Sequence, residues 1–177
     1  PAVRLHIRYK KKKRDIFSAD ELRKLFPIDL EDYGPWDDLR TKTAYLLAAV
    51  CGLRRNEIRA IKWSNVGFEN QSIKIVEAFK GESRIGLPKW DKTRQTALPG
   101  VAARHLKAHR AKTKYSGDSD FVFANVDGTP LGTQAWKNMW HRAMKKAEMN
   151  LADRNLVPHS LRHGIATELR AAGISEV

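Results

Sequence analysis

Pro158-His159-Ser160-Leu161-Arg162-His163-Gly164-Ile165-Ala166-Thr167 carries more information than any other segment of this chain. It sets His159 and Arg162 three residues apart at the start of an apolar-periodic run, so a helix there projects both from one face. Far upstream, Cys51-Gly52-Leu53-Arg54-Arg55-Asn56-Glu57-Ile58 puts Arg54 directly after a helix-stopping glycine. Ile58, Ile61 and Trp63 follow with core spacing, so the turn is packed and its arginine is held. Two arginines and a histidine converging on one point suit a phosphodiester. Guanidinium groups bind phosphate oxygens bidentately and stay charged at any working pH.

The composition agrees. The chain has 177 residues, enough for one domain with a real core, and 42% hydrophobic and 30% charged residues, an ordinary globular balance. Its formal net charge of +13 is not ordinary and calls for a polyanionic partner, nucleic acid being the usual one. A membrane is the rival, but no apolar run approaches the ~20 residues of a span. The single cysteine, Cys51, excludes an intramolecular disulfide and fits a reducing cytosolic or nucleoid setting in a prokaryotic host. There is no secretory signal, and the chain starts Pro1-Ala2-Val3-Arg4 without an initiator Met, so we expect a fragment.

Residues 1–14 end in Lys10-Lys11-Lys12-Lys13-Arg14, a solvated basic arm or a linker that clings to phosphates; the two are compatible. Ser18-Ala19-Asp20-Glu21 is a capping box opening the first ordered helix. Further helices are predicted over about 38–51, 57–62, 101–113 and 159–172, with one strong amphipathic helix carrying Trp136, Met139, Trp140, Ala143 and Met144 on its inner face. Between them the period changes: residues 72–79, 84–89 and 93–98 predict three antiparallel strands. His105 and His109, spaced i, i+4, are expected on an exposed helix face. Lys137, Arg142, Lys145 and Lys146 form either a solvated face or a DNA-facing one.

Together these features resemble the tyrosine recombinase (phage integrase) family, whose pattern reads Gly-x-Arg-x-x-Glu with a following Trp, and later His-x-x-Arg. Gly52, Arg54, Glu57 and Trp63 match the first box; His159 to Thr167 match the second nearly residue for residue. The resemblance spans roughly Ser18 to Gly173. It implies an α+β, mainly helical catalytic-domain fold with a small three-stranded antiparallel sheet, occupying residues 15–177 after the basic arm. It also implies Arg54 and Arg162 as phosphate clamps, and His159 as a hydrogen-bond donor or proton carrier to the transition state. A hairpin lysine five residues before an arginine in the family resembles Lys89 and Arg94 here, which makes Lys89 the general acid that protonates the leaving 5′-oxygen; Lys92 is its competitor and Lys80 a more distant one. Ala97 stands where many members carry Pro. Arg55, Lys92, Arg94 and the basic run Lys10 to Arg14 are expected to contact DNA, and Glu57 to be a buried partner that orients an arginine. His163 is read as structural.

In such a site preorganised arginines stabilise the charge that develops on the non-bridging oxygens. No carboxylate cluster suggests a two-metal centre and one cysteine cannot build a zinc site, so we expect neither metal nor cofactor. The family's nucleophilic tyrosine follows the second box, whereas Tyr9, Tyr33, Tyr45 and Tyr115 all precede it. We therefore expect a truncated catalytic domain that binds double-stranded DNA without cutting it and is itself monomeric, the complete protein acting as a tetramer on two duplexes. A non-catalytic DNA-binding remnant and a type IB topoisomerase-like enzyme are the rivals.

Overall fold

The computed structural model describes residues 15–88 and 92–171. The expected basic arm, Lys10, Lys11, Lys12, Lys13 and Arg14 included, and Lys89 lie outside the described residues. The described elements run α1 (Ala19–Leu25), α2 (Leu39–Val50), α3 (Arg55–Ala60), a 3-10 turn (Trp63–Asn65), β1 (Val66–Gly67), β2 (Ser72–Ile75), β3 (Ala78–Lys80), β4 (Arg84–Gly86), β5 (Arg94–Ala97), α4 (Gly100–Lys112), α5 (Thr133–Lys146), α6 (Leu151–Arg154) and α7 (Pro158–Ala171). The α+β, mainly helical reading holds.

Local chemistry explains most boundaries. The Ser18 hydroxyl accepts from the Glu21 amide while Glu21 accepts from the Ser18 amide, a complete capping box for α1. Asp38 caps α2 through the Thr41 amide, 2.6 Å. Gly52, at φ +63°, turns the chain out of α2. Pro158 opens α7, where a missing amide hydrogen breaks no helical bond.

A three-stranded antiparallel sheet is present in the order β1-β2-β5, but its strands are not the expected three. The run over 72–79 breaks at Val76-Glu77: Ile73 and Ile75 pair within this sheet, opposite Thr96 and Arg94. Ala78 to Lys80 leave it to form a separate hairpin with Arg84 to Gly86. Gly81, at φ +80°, supplies the turn. The edge place is taken by Val66-Gly67, too short to show a period.

α2 lies at the centre, packed against α4 on one side and α7 on the other. Its Tyr45 sits between Trp36, at 4.5 Å between ring centroids, and Trp136, at 4.2 Å, with its hydroxyl donating to the Trp136 carbonyl at 2.6 Å. Two buried cations escaped periodicity. Lys42 is fully buried, its Nζ donating to the Asp29 and Asp32 carbonyls at 2.7 Å each, which ties the 26–38 loop to α2. Arg59 is equally buried. It donates to the carbonyls of Leu131 (2.5 Å) and Glu82 (2.8 Å) and to the Thr133 hydroxyl (3.0 Å), and its guanidinium lies 4.3 Å from the Phe79 ring centroid. One side chain thereby joins α3, the β3–β4 turn and the start of α5. No helix among the described residues is long and apolar enough to cross a membrane.

The expectation that His105 and His109 are exposed is wrong. Both are buried, because that face of α4 packs inward; His105 Nδ1 lies 2.8 Å from the Val101 carbonyl and His109 Nε2 lies 2.7 Å from that of Val122. Burial holds both imidazoles below their ordinary value. The unfolded chain therefore takes up these protons first as pH falls through about 6.5, and the fold loses stability below that point. Thermal melts between pH 7.5 and 5.5 should show a falling midpoint, and replacing both histidines by glutamine, which donates but does not titrate, should flatten the fall.

Candidate active site

A cavity of about 410 Å³ opens where the end of α2, the start of α3, α5 and the start of α7 meet. Arg54, Arg55, Lys137, His159 and Arg162 line it over an apolar floor that includes Leu53 and Trp136. Thus Arg54 and the pair His159 and Arg162, more than 100 residues apart in the sequence, line one cavity.

Each of the three is positioned differently. Arg162 donates through Nη1 to the Gly52 carbonyl, so the glycine that ends α2 also holds the arginine of α7. A Cβ on Gly52 would come no nearer than 4.0 Å to the Arg162 side chain, which leaves backbone strain as the reason for glycine. The His159 ring meets that of His163 edge-on, 4.6 Å apart at 83°. This gives His163 a place beside the site consistent with a structural part.

Arg54 precedes the first turn of α3, and Glu57, one turn on, is 1% exposed. Its carboxylate accepts from the Arg54 amide at 2.8 Å and from Arg54 Nη1 at 3.0 Å. It also takes both terminal nitrogens of Arg94, Nη1 on one oxygen and Nη2 on the other, at 2.7 Å each. Burying a lone carboxylate costs several kcal/mol, and one half-exposed arginine returns at most about 1 kcal/mol, so multiple charge-assisted bonds are required. Burial pushes the Glu57 carboxyl up, but the hydrogen bonds from Arg94 and Arg54 outweigh it and hold the group below its ordinary range.

Of the expected DNA contacts, Arg55 is exposed on the cavity rim, and Lys92 is exposed just before β5. Arg94, by contrast, points at Glu57. Strand alternation puts it on the inner face of β5 with Thr96, whose hydroxyl reaches the Cys51 carbonyl at 3.3 Å. Lys137 is the residue that sequence left undecided: among the four basic positions of α5 it alone lines the cavity, while Arg142 and Lys146 pair with Asp37. An i, i+1 relation to Trp136, which faces the core, is the signal that could have placed it beside the floor. Among the described tyrosines, none lines this cavity. Tyr45 is locked in the core, where burial drives its hydroxyl far above the ordinary value, and Tyr33 and Tyr115 line a separate cavity of about 500 Å³. The thiol of Cys51, buried at the end of α2, is likewise raised by burial, to about 12.

The fold is that of the tyrosine recombinase catalytic domains, as comparison with known proteins shows. Residues 16–176 match the model of the phage integrase family, and the chain belongs to that family. Tyrosine recombinase XerD of Staphylococcus aureus is 27% identical over 168 residues, covering 94% of this chain and 52% of the relative, so the chain spans about half the length of that protein. Among solved structures, the Tn1549 transposon integrase in complex with circular intermediate DNA superposes with a TM-score of 0.77 at 18% identity, over 94% of this chain and 57% of the other. The lambda integrase catalytic core gives 0.60 at 17%, over 90% and 85%. At these identities the superpositions speak for the fold.

Replacing Gly52 by Ala should destabilise the protein by about 1–2 kcal/mol, the cost of a left-handed alanine. Asn, which tolerates that conformation, should cost less, as chemical denaturation of the two variants would show.

Proposed function

We propose that the protein to which this chain belongs carries out site-specific DNA recombination, cutting and rejoining duplex DNA through a covalent 3′-phosphotyrosine. The observation that carries this reading is the convergence of Arg54, His159 and Arg162 on one cavity. Two guanidiniums fixed from different elements present donors to the non-bridging oxygens of one phosphate. They are aligned before the reaction, so charge developing in the transition state meets dipoles that need not reorganise. His159 donates a hydrogen bond to the same phosphate. Lys89 protonates the departing 5′-oxygen. The nucleophile is a tyrosine from outside these 177 residues; the bond energy is kept in the phosphotyrosine and returned on rejoining. On this reading the chain by itself binds double-stranded DNA without cutting it, four complete protomers act on two duplexes, and no cofactor takes part.

Support for DNA as the partner comes from the net charge of +13, from Arg55 and Lys137 beside the clamp, and from the DNA-bound integrases that share the fold. The match of residues 16–176 to the phage integrase family favours recombinase over topoisomerase.

The direct test starts from duplexes that the complete protein retains out of a random-sequence pool. A nicked version of such a duplex should become covalently attached to the protein. Arg54→Ala and Arg162→Ala should each slow attachment about 100- to 1000-fold while most DNA binding survives. Near-normal attachment by either variant would dismiss the clamp, and failure to retain any duplex would dismiss DNA as the partner. Lys89→Ala and Lys92→Ala should then be compared on a duplex whose leaving oxygen is sulfur. A thiolate departs without a proton, so only the variant lacking the general acid recovers. Lys137→Ala should weaken binding to all sequences alike and reduce the salt slope by about 0.9.

A further inference from the structure

Arg94 is the residue whose place in the structure departs most from a DNA contact. It opens β5 directly after the segment that carries Lys89 and Lys92, in register with Ile75, and both terminal nitrogens are spent on Glu57. We propose that Arg94 is a positioning residue acting through Glu57: it neutralises the buried carboxylate, so that Arg54 keeps its positive charge for the scissile phosphate. This rests on the assignment of Arg54 as a phosphate clamp.

Charge balance is the reason. Glu57 is 1% exposed and is shared by two guanidiniums. One carboxylate and two arginines leave a net positive charge at the mouth of α3. Arg94 provides the bidentate, in-plane match that a carboxylate binds best, with both contacts at 2.7 Å, whereas Arg54 gives the carboxylate one side-chain donor at 3.0 Å. Among the described residues, Nε and Nη2 of Arg54 make no hydrogen bond, which leaves them for an oxyanion. Without Arg94, Arg54 becomes the sole counter-ion of a buried carboxylate. The pair is then neutral, and its guanidinium is drawn toward Glu57 and away from the cavity.

The same bonds have a second consequence. Arg94 ties the start of β5 to α3, and Arg59 of the same helix separately ties down the β3–β4 turn through the Gly81 and Glu82 carbonyls. Both anchors belong to α3, through Glu57 and Arg59.

The test is a double-substitution cycle in the complete protein, read as the rate of covalent attachment to the nicked, pool-selected duplex. Arg94→Met should slow attachment about 10- to 100-fold. Arg94→Lys, which keeps the charge but not the fork, should recover part of the loss. In a Glu57→Gln background, where no buried charge needs neutralising, Arg94→Met should change the rate by less than about twofold. That comparison also serves if Arg94→Met alone does not fold, since the carboxylate left unpaired is then gone. The salt slope of DNA binding should be the same with and without Arg94, whereas a phosphate contact would contribute about 0.9 to it. An equal rate loss in both backgrounds, a reduced salt slope, or normal attachment by Arg94→Met overturns the proposal. Arg54→Ala is the control: if it attaches DNA at the normal rate, or if the wild-type protein attaches none, the clamp assignment fails and the proposal with it. A slow Arg54→Ala beside a normal Arg94→Met removes only the role given to Arg94.

Discussion

A single carboxylate, buried and doubly paired, organises the candidate active site. Glu57 receives the Arg54 backbone, the Arg54 side chain and both terminal nitrogens of Arg94. A negative charge in that position is tolerable only because every lone-pair direction is answered, and each partner is oriented by answering it. The helix start, the strand start and the cavity wall are therefore aligned by one group. The alignment draws on residues that ordinary accounting would treat as separate: a turn arginine, a buried acid and a strand arginine.

Around that group the fold supplies rigidity at several removes. α2 carries the apolar packing, with Tyr45 wedged among tryptophans and Gly52 ending the helix in a conformation that aims its carbonyl at Arg162. Buried Arg59 acts as a cross-brace between α3, the small hairpin and α5, hydrogen-bonding to three carbonyls and the Thr133 hydroxyl, with the Glu82 carboxylate 3.8 Å away. At the periphery, Arg154 meets Asp15, Glu21 and the Ile16 carbonyl, fastening the segment before α7 to the start of α1. Such surface pairs contribute little stability singly.

The excess positive charge is not spread evenly in its uses. Arg142 and Lys146 are committed to Asp37, Lys112 to Glu31 and Arg110 to Asp118. Arg55 and Lys137, on the cavity rim, are placed to meet an anion that reaches Arg54 and Arg162.

Much of this was legible in the chain itself. Helix ends were, because caps and stops are chemically local: Ser18 with Glu21, Asp38, Gly52 and Pro158 act on neighbours within a turn. The two arginine boxes were legible because Gly52 to Trp63 and His159 to Thr167 resemble the phage integrase family's pattern, and the three-residue spacing of His159 and Arg162 puts both on one helical face. Strand partnership was not: residues 72–79 carry one continuous β-like pattern, yet long-range pairing splits them between two sheets. Nor were the burial of His105, His109, Lys42 and Arg59, since a polar side chain finds a carbonyl acceptor only once distant loops are in place. The role of Arg94 belongs to the same category. By itself the sequence determined the segments, their ends and the chemical types at the site. Only the tertiary structure decided which arginine faces the cavity and which faces the buried acid, because that depends on strand register and helix packing, which bring together groups with no local relation.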